Sequence, residues 1–272
     1  MLTGVNQTAI LTLRARADEH LRPDRLFADP VAAEWMAKLA WPSDLDDWYR
    51  DQAQNNVALR VADIDHISAR LLNSEGMSSV VELGCGLSTR SHRLGGVDLD
   101  WTSVDLPPVV ALRKRWNAPG RHIPTSVLDP DWILQLPEGP HLFIAEGLFY
   151  YLPRDEVDAL IEHLSHRCPD SILLTDMIGA TDFEQLNHRT APLGAPLQWY
   201  ATPPLNDMVK ALSLDAIPDY DPDTLSKQAL TRYFSRLEPS IKVLTWWGLN
   251  AGELPAQRSG NIVGRLKPHA LT

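Results

Sequence analysis

The hydrophobic positions of the first 75 residues repeat with the period of an α-helix. Residues 8–21 are rich in Ala, Leu and Arg, and Asp29 and Pro30 form an N-cap and a first helical position for a helix over 31–39. Between residues 55 and 72, apolar side chains recur at steps of three and four residues, at Val57, Val61, Ile64, Ile67 and Leu71. This spacing indicates an amphipathic helix. The sequence therefore predicts a helical cap over residues 1–75.

From residue 77 the pattern changes to short apolar runs that suit strands. These runs alternate with helical segments, and they lie at 79–83, 101–106, 122–127, 141–145 and 171–176. Apolar strands that alternate with helices are typical of a parallel sheet covered on both faces. Two closing strands are predicted at 241–247 and 261–266. We predict an α/β fold with a seven-stranded, mostly parallel, doubly wound sheet.

A long segment after the fifth predicted strand interrupts this alternation. Residues 177–227 contain many Pro, Leu and Asp residues and show weak periodicity. In a compact domain, an interruption of this length is typical of a lid or a substrate wall. We predict one domain made of a helical cap (1–75), a ligand-binding core (76–176), a lid (177–240) and closing strands (241–272).

The composition narrows the classes of partner. The chain has 272 residues and a formal net charge of −10, which disfavours nucleic acid as a main partner. Its two cysteines, Cys85 and Cys168, form neither a disulfide framework nor a zinc-ligand spacing, so no metal is expected. No apolar run reaches the roughly 20 residues of a membrane span. The N-terminus lacks a signal-peptide pattern, and the expected location is cytoplasmic.

The first predicted strand runs into a glycine turn, Gly84-Cys85-Gly86, where the backbone can approach a ligand closely. Asp105 ends the second strand about 20 residues later, and a carboxylate there can accept both ribose hydroxyls of a bound nucleoside. A dinucleotide site has a third glycine where this chain has Thr89. Two cofactors remain open at this point: a nicotinamide dinucleotide, and a nucleoside-bearing cofactor without a pyrophosphate. Glu82, near the strand end, is either a satisfied structural carboxylate or a group beside the ligand.

Several motifs follow one another in a fixed order and spacing. They are Thr8-Ala9, Arg14-Ala15-Arg16-Ala17-Asp18-Glu19, Pro23-Asp24-Arg25-Leu26-Phe27-Ala28-Asp29-Pro30, Arg60, Leu83-Gly84-Cys85-Gly86-Leu87-Ser88-Thr89-Arg90, Val104-Asp105-Leu106-Pro107, Glu146-Gly147-Leu148-Phe149-Tyr150-Tyr151-Leu152 and Asn261-Ile262-Val263-Gly264. In this the chain resembles the leucine carboxyl methyltransferase family of S-adenosylmethionine-dependent enzymes, especially its bacterial polyketide O-methyltransferase branch. The resemblance covers nearly the whole chain except the predicted lid, and it implies a class I methyltransferase, Rossmann-like fold.

The resemblance also implies the cofactor, S-adenosyl-L-methionine, and the residues that hold it. Arg60 is expected to bind the methionine carboxylate, Asp105 the ribose hydroxyls and Asp129 the adenine amino group, although Asp129 is also a good N-cap. Ser88 stands where the family usually has Asp. Cys85 matches a small residue beneath the cofactor rather than a nucleophile. The cofactor-binding residues predicted in this way are Arg16, Arg60, Glu82, Gly84, Cys85, Gly86, Asp105, Leu106, Leu128, Asp129, Glu146 and Gly147.

The chemistry of the acceptor depends on whether a base is present. A carboxylate is ionised at neutral pH and needs none, whereas a phenol or alcohol needs a general base. The sequence shows no clear base; Tyr150 and His188 are the candidate catalytic residues. Aromatic side chains that suit an apolar acceptor pocket are Phe149, Tyr150, Trp199, Tyr200 and Trp247. Most of them could instead be core residues, which is the preferred interpretation for Phe149. Arg189 and Arg232 are cations that could pair with an acidic substrate.

We therefore expect S-adenosylmethionine-dependent O-methylation of a small molecule, on a carboxylate of a secondary metabolite. Three alternatives stay open: an NAD(P)-dependent oxidoreductase, a protein carboxyl methyltransferase, and a methyltransferase-like protein that binds the cofactor without transferring methyl. The expected partner is a small-molecule acceptor, with no nucleic acid and no membrane, and the oligomeric state is left open.

Overall fold

A seven-stranded sheet forms the centre of the part of the chain that the structure describes. The structure is a computed structural model, and it describes residues 2, 4–46, 49, 51–94, 99–202, 208, 210–215 and 260–267. The strands are β1 (Ser79–Leu83), β2 (Asp100–Asp105), β3 (Arg121–Pro124), β4 (Leu142–Ala145), β5 (Ile172–Met177), β6 (Leu214–Asp215) and β7 (Gly260–Leu266). Their order is β3-β2-β1-β4-β5-β7-β6. The first five strands are parallel, and β7 runs antiparallel to β5 and β6.

Of the helices that the structure describes, the first three precede β1 in the sequence and the other four lie between strands; together they cover both faces of the sheet. They are α1 (Thr8–Leu21), α2 (Pro30–Ala37), α3 (Asp51–Ser74), α4 (Arg90–Leu94), α5 (Pro107–Arg115), α6 (Arg154–Arg167) and α7 (Ala180–Thr190). Short 3-10 helices lie at Gly4–Gln7, Ser43–Leu45, Pro130–Gln135, Phe149–Tyr151 and Ala191–Leu193. The predicted doubly wound, mostly parallel sheet is confirmed.

Successive side chains of β1 point to opposite faces of the sheet and pack in two different core clusters. Val81 and Leu83 join the core cluster that contains the apolar face of α6. Val80 joins the cluster that contains the buried face of α3. Because side chains alternate along a strand, Glu82 projects to the α3 side at the carboxyl end of β1. A carboxylate is thereby buried beside the helix layer.

The helical cap forms a further layer outside α3. The apolar stripe predicted on α3 is buried from Val57 to Leu71. On its other side Val57 and Val61 contact Ala15 of α1, and α2 packs against α1. The bounds of α1 are the predicted ones, and the Asp29 side chain caps α2 by accepting the Ala32 N–H. α3 therefore lies between the sheet and the cap, which brings the cap over the carboxyl ends of the strands.

A strand and an α-helix lie within the predicted lid, one predicted closing strand falls outside the described residues, and the third strand is shorter than predicted. The edge strand β6 lies within 177–240, where a lid was predicted. It was not predicted because a two-residue strand leaves no periodic signal in the sequence. The same range contains the helix α7. The strand predicted at 241–247 lies outside the described residues. The third strand ends at Pro124, three residues before its predicted end, where Thr125 turns back to Ile123.

No helix within the described ranges combines the length and the apolar character that crossing a membrane requires. Cys85 and Cys168 are both buried and unpaired with each other.

Candidate active site

A cavity of about 690 Å³ opens at the carboxyl ends of β1, β2 and β4. β1 lies between β2 and β4, so the strand order reverses at this point of the sheet. Ligands of open parallel sheets bind at such a reversal, and the volume is in the usual range for small-molecule sites. The walls are completed by the cap and by α7. The fold therefore places one cavity where the sequence predicts the cofactor.

The glycine turn forms the floor of this cavity. Gly84 and Gly86 have φ angles of +57° and +51°, a conformation that favours glycine. A Cβ at Gly84 would lie 2.6 Å from Leu148 Cδ1, and one at Gly86 would lie 3.3 Å from the Cβ of Ala9. A side chain is thus disfavoured by the backbone conformation at both positions, and at Gly84 also by the contact with Leu148. Burial raises the pKa of the Cys85 thiol between them, which makes it a poor nucleophile.

Asp105 faces the same turn from the end of β2. Its Oδ2 accepts the Gly86 N–H at 2.6 Å, and its Oδ1 accepts the Leu106 N–H at 2.7 Å. Burial raises the pKa of Asp105, although these two hydrogen bonds oppose the shift. Each oxygen keeps a further lone pair, so the carboxylate can accept two ribose hydroxyls as well.

Two buried arginines hold the carbonyl groups of the turn, and the sequence analysis did not predict either contact. Arg113 Nη1 donates to the carbonyls of Ser88 at 2.6 Å and Gly86 at 3.2 Å. Arg16 Nη2 donates to the carbonyl of Leu87 at 2.6 Å, and Arg16 pairs with Asp29 at 3.5 Å. Burial lowers the pKa of Arg16 to about 10, which still leaves it charged at neutral pH.

A network of buried charges lies between α3, α4 and the end of β4. Arg60 Nε donates to Glu146 at 3.0 Å, and Arg60 Nη1 lies 3.4 Å from Asp176. Arg90 binds Glu146 from the other side, and it also pairs with Glu82 and Asp65. Burial alone would raise the pKa of Glu146, but the charges of Arg60 and Arg90 outweigh it and lower that pKa to about 2. Glu146 is therefore a permanent anion beside the cavity.

Glu82 has a full set of partners within the protein. It accepts hydrogen bonds from Ser88 Oγ and Arg90 Nη1 at 2.8 Å and from Trp101 Nε1 at 3.1 Å. The hydroxyl of Ser88, at the position where the family usually has Asp, also accepts the Arg90 N–H at 3.2 Å. The structure thus shows Glu82 as a carboxylate that orders the turn while it lines the cavity.

The two candidate catalytic residues lie in different surroundings. Tyr150 lines the cavity, but its hydroxyl lies 3.3 Å from Asp176 and 3.2 Å from Arg60 Nη1. Burial raises its pKa well above that of a free tyrosine, so it stays a neutral phenol. His188 is exposed and is absent from the cavity wall. On α7 it lies about 100° from Arg189, which does line the cavity.

The aromatic residues predicted for the acceptor pocket are placed mainly in packing roles. Phe149 is fully buried in the core. Trp199 donates its Nε1 hydrogen to the carbonyls of Phe149 and Leu152 at 3.0 Å, and the ring of Tyr200 packs against Phe183. Of the predicted aromatic residues that the structure describes, Tyr150 lines the cavity and these three do not. Their rings pack instead in the core, beside the 3-10 helix Phe149–Tyr151 and against α7. Trp247 and Arg232 lie outside the described residues.

The segment after β3 contributes different residues from those predicted. Leu128 packs against the core, and Asp129 is exposed and caps a 3-10 helix by accepting the Asp131 N–H at 3.1 Å. Residues 125–127 line the cavity instead. Of the predicted cofactor residues, the cavity wall contains Arg16, Arg60, Glu82, Gly84, Cys85, Gly86, Asp105, Leu106, Glu146 and Gly147.

The fold, with a cavity at the carboxyl ends of its parallel strands, is of the class I methyltransferase type. In solved structures, the fold is similar to that of a DUF574 family protein from Streptomyces avermitilis (14% identity, TM-score 0.58, covering 94% of this chain and 97% of that one). It is also similar to the plantazolicin methyltransferase BamL (14% identity, TM-score 0.50, 97% and 100% covered). At these identities the likeness shows the fold alone.

Sequence comparison identifies the family. Residues 9–118 match the leucine carboxyl methyltransferase model. A Streptomyces coelicolor protein assigned as an S-adenosyl-L-methionine-dependent methyltransferase is 31% identical over 223 residues, covering 70% of this chain and 71% of that protein. The tetracenomycin polyketide synthesis O-methyltransferase TcmP of Streptomyces glaucescens is 29% identical over 186 residues, covering 65% and 67%. The chain belongs to the leucine carboxyl methyltransferase family of S-adenosyl-L-methionine-dependent methyltransferases, as its motifs predicted.

Proposed function

We propose that this protein transfers the methyl group of S-adenosyl-L-methionine to a carboxylate oxygen of a small-molecule acceptor. The observation that carries the proposal is the chemistry of the cavity wall. Among the described lining residues there is no histidine, and Tyr150 is held as a neutral phenol. Such a wall suits an acceptor that is already ionised, because a carboxylate needs no base to become nucleophilic.

The residues at the floor of the cavity fit the cofactor. Arg60 is buried, and its Nη2, unlike its other nitrogens, makes no hydrogen bond to any residue that the structure describes. This nitrogen is available for the methionine carboxylate, while Glu146 supplies a fixed negative charge near the amino group and Asp105 accepts the ribose hydroxyls. When bound, the cofactor supplies a sulfonium methyl group as the electrophile.

The protein's part in the reaction is alignment and exclusion of water. The 3-10 helix Gly4–Gln7 contacts the 3-10 helix Ala191–Leu193, so the cap and the segment after α7 meet beside the cavity. An in-line methyl transfer gains most of its rate from such positioning and desolvation. Walls on several sides favour a small acceptor over a protein chain. A secondary metabolite acid is the acceptor class that we propose.

The alternatives predict different contacts. A dinucleotide would need room for a pyrophosphate at the third glycine position, but the Thr89 side chain is fully buried there and bonds Asp29 and Arg93. Family membership also argues against an oxidoreductase. A cytoplasmic location is part of the proposal, since two unpaired cysteines suit a reducing compartment.

One lining carboxylate supports a second candidate, methylation of a hydroxyl group. Asp182 lies in the first turn of α7 and lines the cavity, where it could act as a base toward a phenol. The two functions differ in the product, because a methyl ester is hydrolysed by mild alkali and a methyl ether is not.

The test uses S-adenosyl-L-methionine labelled in its methyl group, with panels of carboxylic acids and phenols. We expect a labelled product that releases volatile methanol in mild alkali, and equal rates for the parent and Asp182→Asn. An alkali-stable product whose formation fails in Asp182→Asn would establish hydroxyl methylation instead. Cofactor binding with no labelled product from either panel would support the alternative of binding without methyl transfer.

A further inference from the structure

α7 presents one polar side to the cavity. Asp182, Gln185, Leu186 and Arg189 all line it, and they are spaced at i, i+3, i+4 and i+7, which places them on one face of the helix. The adjacent face carries Phe183, which packs with Leu186 in a small core cluster and fixes the rotation of the helix. The orientation of the polar side is therefore set by packing.

The arginines of the cavity wall differ in their partners. Arg16, Arg60 and Arg90 are each buried and paired with carboxylates behind the glycine turn or at the end of β4. Arg189 is exposed, and no carboxylate in the described part of the chain lies within ion-pair distance of it. Its charge is thus available to a ligand, whereas the charges of the other three stabilise the protein.

Neutral hydrogen-bonding groups accompany Arg189. Gln185 lies one turn before it on α7, and Gln198 follows in the loop held to Tyr150 by a backbone hydrogen bond of 2.8 Å. Across the cavity Asn55 is 7% exposed, and its Oδ1 has no partner among the described residues. Amides in a cavity wall that also contains apolar side chains such as Leu11, Val57 and Leu152 suit a ligand with a hydrophobic body and a polar group.

We propose that this side of α7 is the acceptor subsite, in which Arg189 binds an anionic group of a hydrophobic acid. The inference rests on the proposed function and adds the residue that selects the acceptor. An exposed guanidinium loses little hydration free energy when it pairs with a carboxylate. Its planar group can also donate two parallel hydrogen bonds to that anion. Arg189 is a specificity residue in this scheme, and cofactor affinity does not depend on it.

The experiment measures binding of 2-naphthoate and decanoate, and of their neutral carboxamides, by calorimetry. Each probe is titrated into the full chain with and without saturating S-adenosylhomocysteine. We expect Arg189→Gln to weaken carboxylate binding by about tenfold or more, as for one lost charge-assisted hydrogen bond, and to leave carboxamide binding unchanged. Arg189→Lys should lie between the two. Arg167→Gln removes an exposed arginine on α6 outside the cavity wall and should change nothing.

The outcomes separate this inference from the proposed function. If the carboxylates bind Arg189→Gln as tightly as the parent, or do not bind the parent at all, the subsite is wrong. Failure of S-adenosylhomocysteine to bind any of the proteins would instead reject the proposed cofactor site, and the titrations without it would still test Arg189. If Arg189→Gln weakened carboxamide binding as much as carboxylate binding, Arg189 would have a packing role and would not recognise the charge of the ligand.

Discussion

The buried carboxylates around the glycine turn differ in how their charge is compensated. Glu146 lies between Arg60 and Arg90, which keep its pKa near 2. Asp105 has two backbone N–H groups and no arginine within ion-pair distance among the described residues, and burial raises its pKa. The charge of Glu146 is therefore compensated by two cations, whereas that of Asp105 is compensated only by backbone N–H groups among its described neighbours.

Replacing Glu146 by Gln should destabilise the fold by about 3–5 kcal/mol at pH 7, because two buried arginines lose a shared partner. The pKa of Glu146 is lower in the folded state than the ordinary value of 4.5, so its contribution is complete above that pH and is lost as pH falls towards 2. Urea unfolding of the parent and Glu146→Gln between pH 7 and pH 3 measures this. Glu162→Gln, on the exposed face of α6, is the control and should match the parent.

Affinity for S-adenosylhomocysteine should fall on acidification, beginning at a pH above the 3.8 of an ordinary aspartate. The reason is that the raised pKa of Asp105 lets it protonate early, and a protonated carboxyl accepts the ribose hydroxyls poorly. Asp105→Asn should bind about tenfold or more weakly at pH 7, as for a lost charged acceptor. Its affinity should be flat over about pH 4.5–7.5, where the amide does not titrate. The same slope in both proteins would assign the titration to another group.

Arg113 should be a positioning residue for the turn. Its side chain is fully buried and donates to two carbonyls of the turn and to Ser103 Oγ. Arg113→Met removes the donor of all three acceptors and leaves the buried Ser103 Oγ unsatisfied, at a cost of about 1–3 kcal/mol. The substitution also removes a positive charge that lowers the pKa of Asp105, so that pKa should rise. The decrease in cofactor affinity on acidification should therefore begin at a higher pH.

Arg115→Met, on the exposed side of the same helix, should change neither the stability nor the pH profile. If Arg113→Met lost stability but kept the pH profile of the parent, its role would be structural alone.

The sequence identified Arg60, Glu82 and Glu146 as site residues, but it did not predict the ion pairs and hydrogen bonds that join them to Arg90. Asp105 and Glu146 could be predicted because each lies at the carboxyl end of a strand within a motif: Asp105 is the last residue of β2, and Glu146 directly follows β4. Arg113 stands in a helix rich in basic residues, where arginines are usually exposed. The partners of Arg113 and of Arg90 lie in other elements of the fold. Similarly, Arg60 binds Glu146, which is 86 residues away in the sequence. Contacts at such separations leave no local pattern.

At the scale of elements, the join between β1 and α4 depends on Gly84. Gly84→Ala combines a left-handed backbone, which costs about 1–2 kcal/mol for other residues, with a contact of 2.6 Å to Leu148. Gly76 has a similar φ of +63°, and a Cβ added there would meet nothing within 4 Å, so Gly76→Ala isolates the backbone cost. Urea unfolding should show a larger loss for Gly84→Ala than for Gly76→Ala.

The part of this stability loss that comes from the contact with Leu148 should disappear when Leu148 is shortened. Because Leu148 is a side chain that can be shortened, Gly84→Ala should cost no more than Gly76→Ala when both are compared in a Leu148→Ala background. An undiminished difference in that background would place the strain in the backbone of the turn.

Element prediction succeeded where a helix or strand is buried on a continuous face. α3 is apolar along one stripe, and α1 is bounded by clear signals. α7 escaped prediction because one side lines a polar cavity and the opposite side is exposed, which leaves Phe183 and Leu186 as its main apolar contacts. With only two large apolar side chains in 11 residues, α7 lacks the apolar stripe by which α3 could be predicted.

At the scale of the whole molecule, distant parts of the chain enclose one cavity. The cap, the glycine turn, the end of β4 and α7 all contribute to its walls. A ligand that binds only the folded state stabilises it by about 2.7 kcal/mol at a concentration of 100 Kd. That stabilisation should be distributed over every element that contacts the ligand, and hydrogen exchange resolves it by segment.

S-adenosylhomocysteine alone should therefore protect amides at 83–90 and 145–148, next to the cofactor end of the cavity, and leave α7 unchanged. Adding 2-naphthoate should protect α7 and the 3-10 helix Gly4–Gln7, because the acceptor end lies between the segments that meet there. The surface helix α6, which does not line the cavity, is the internal reference. Protection of α7 by S-adenosylhomocysteine alone would mean that the cofactor closes this wall, and the two ends of the cavity would then form one coupled site rather than two successive ones.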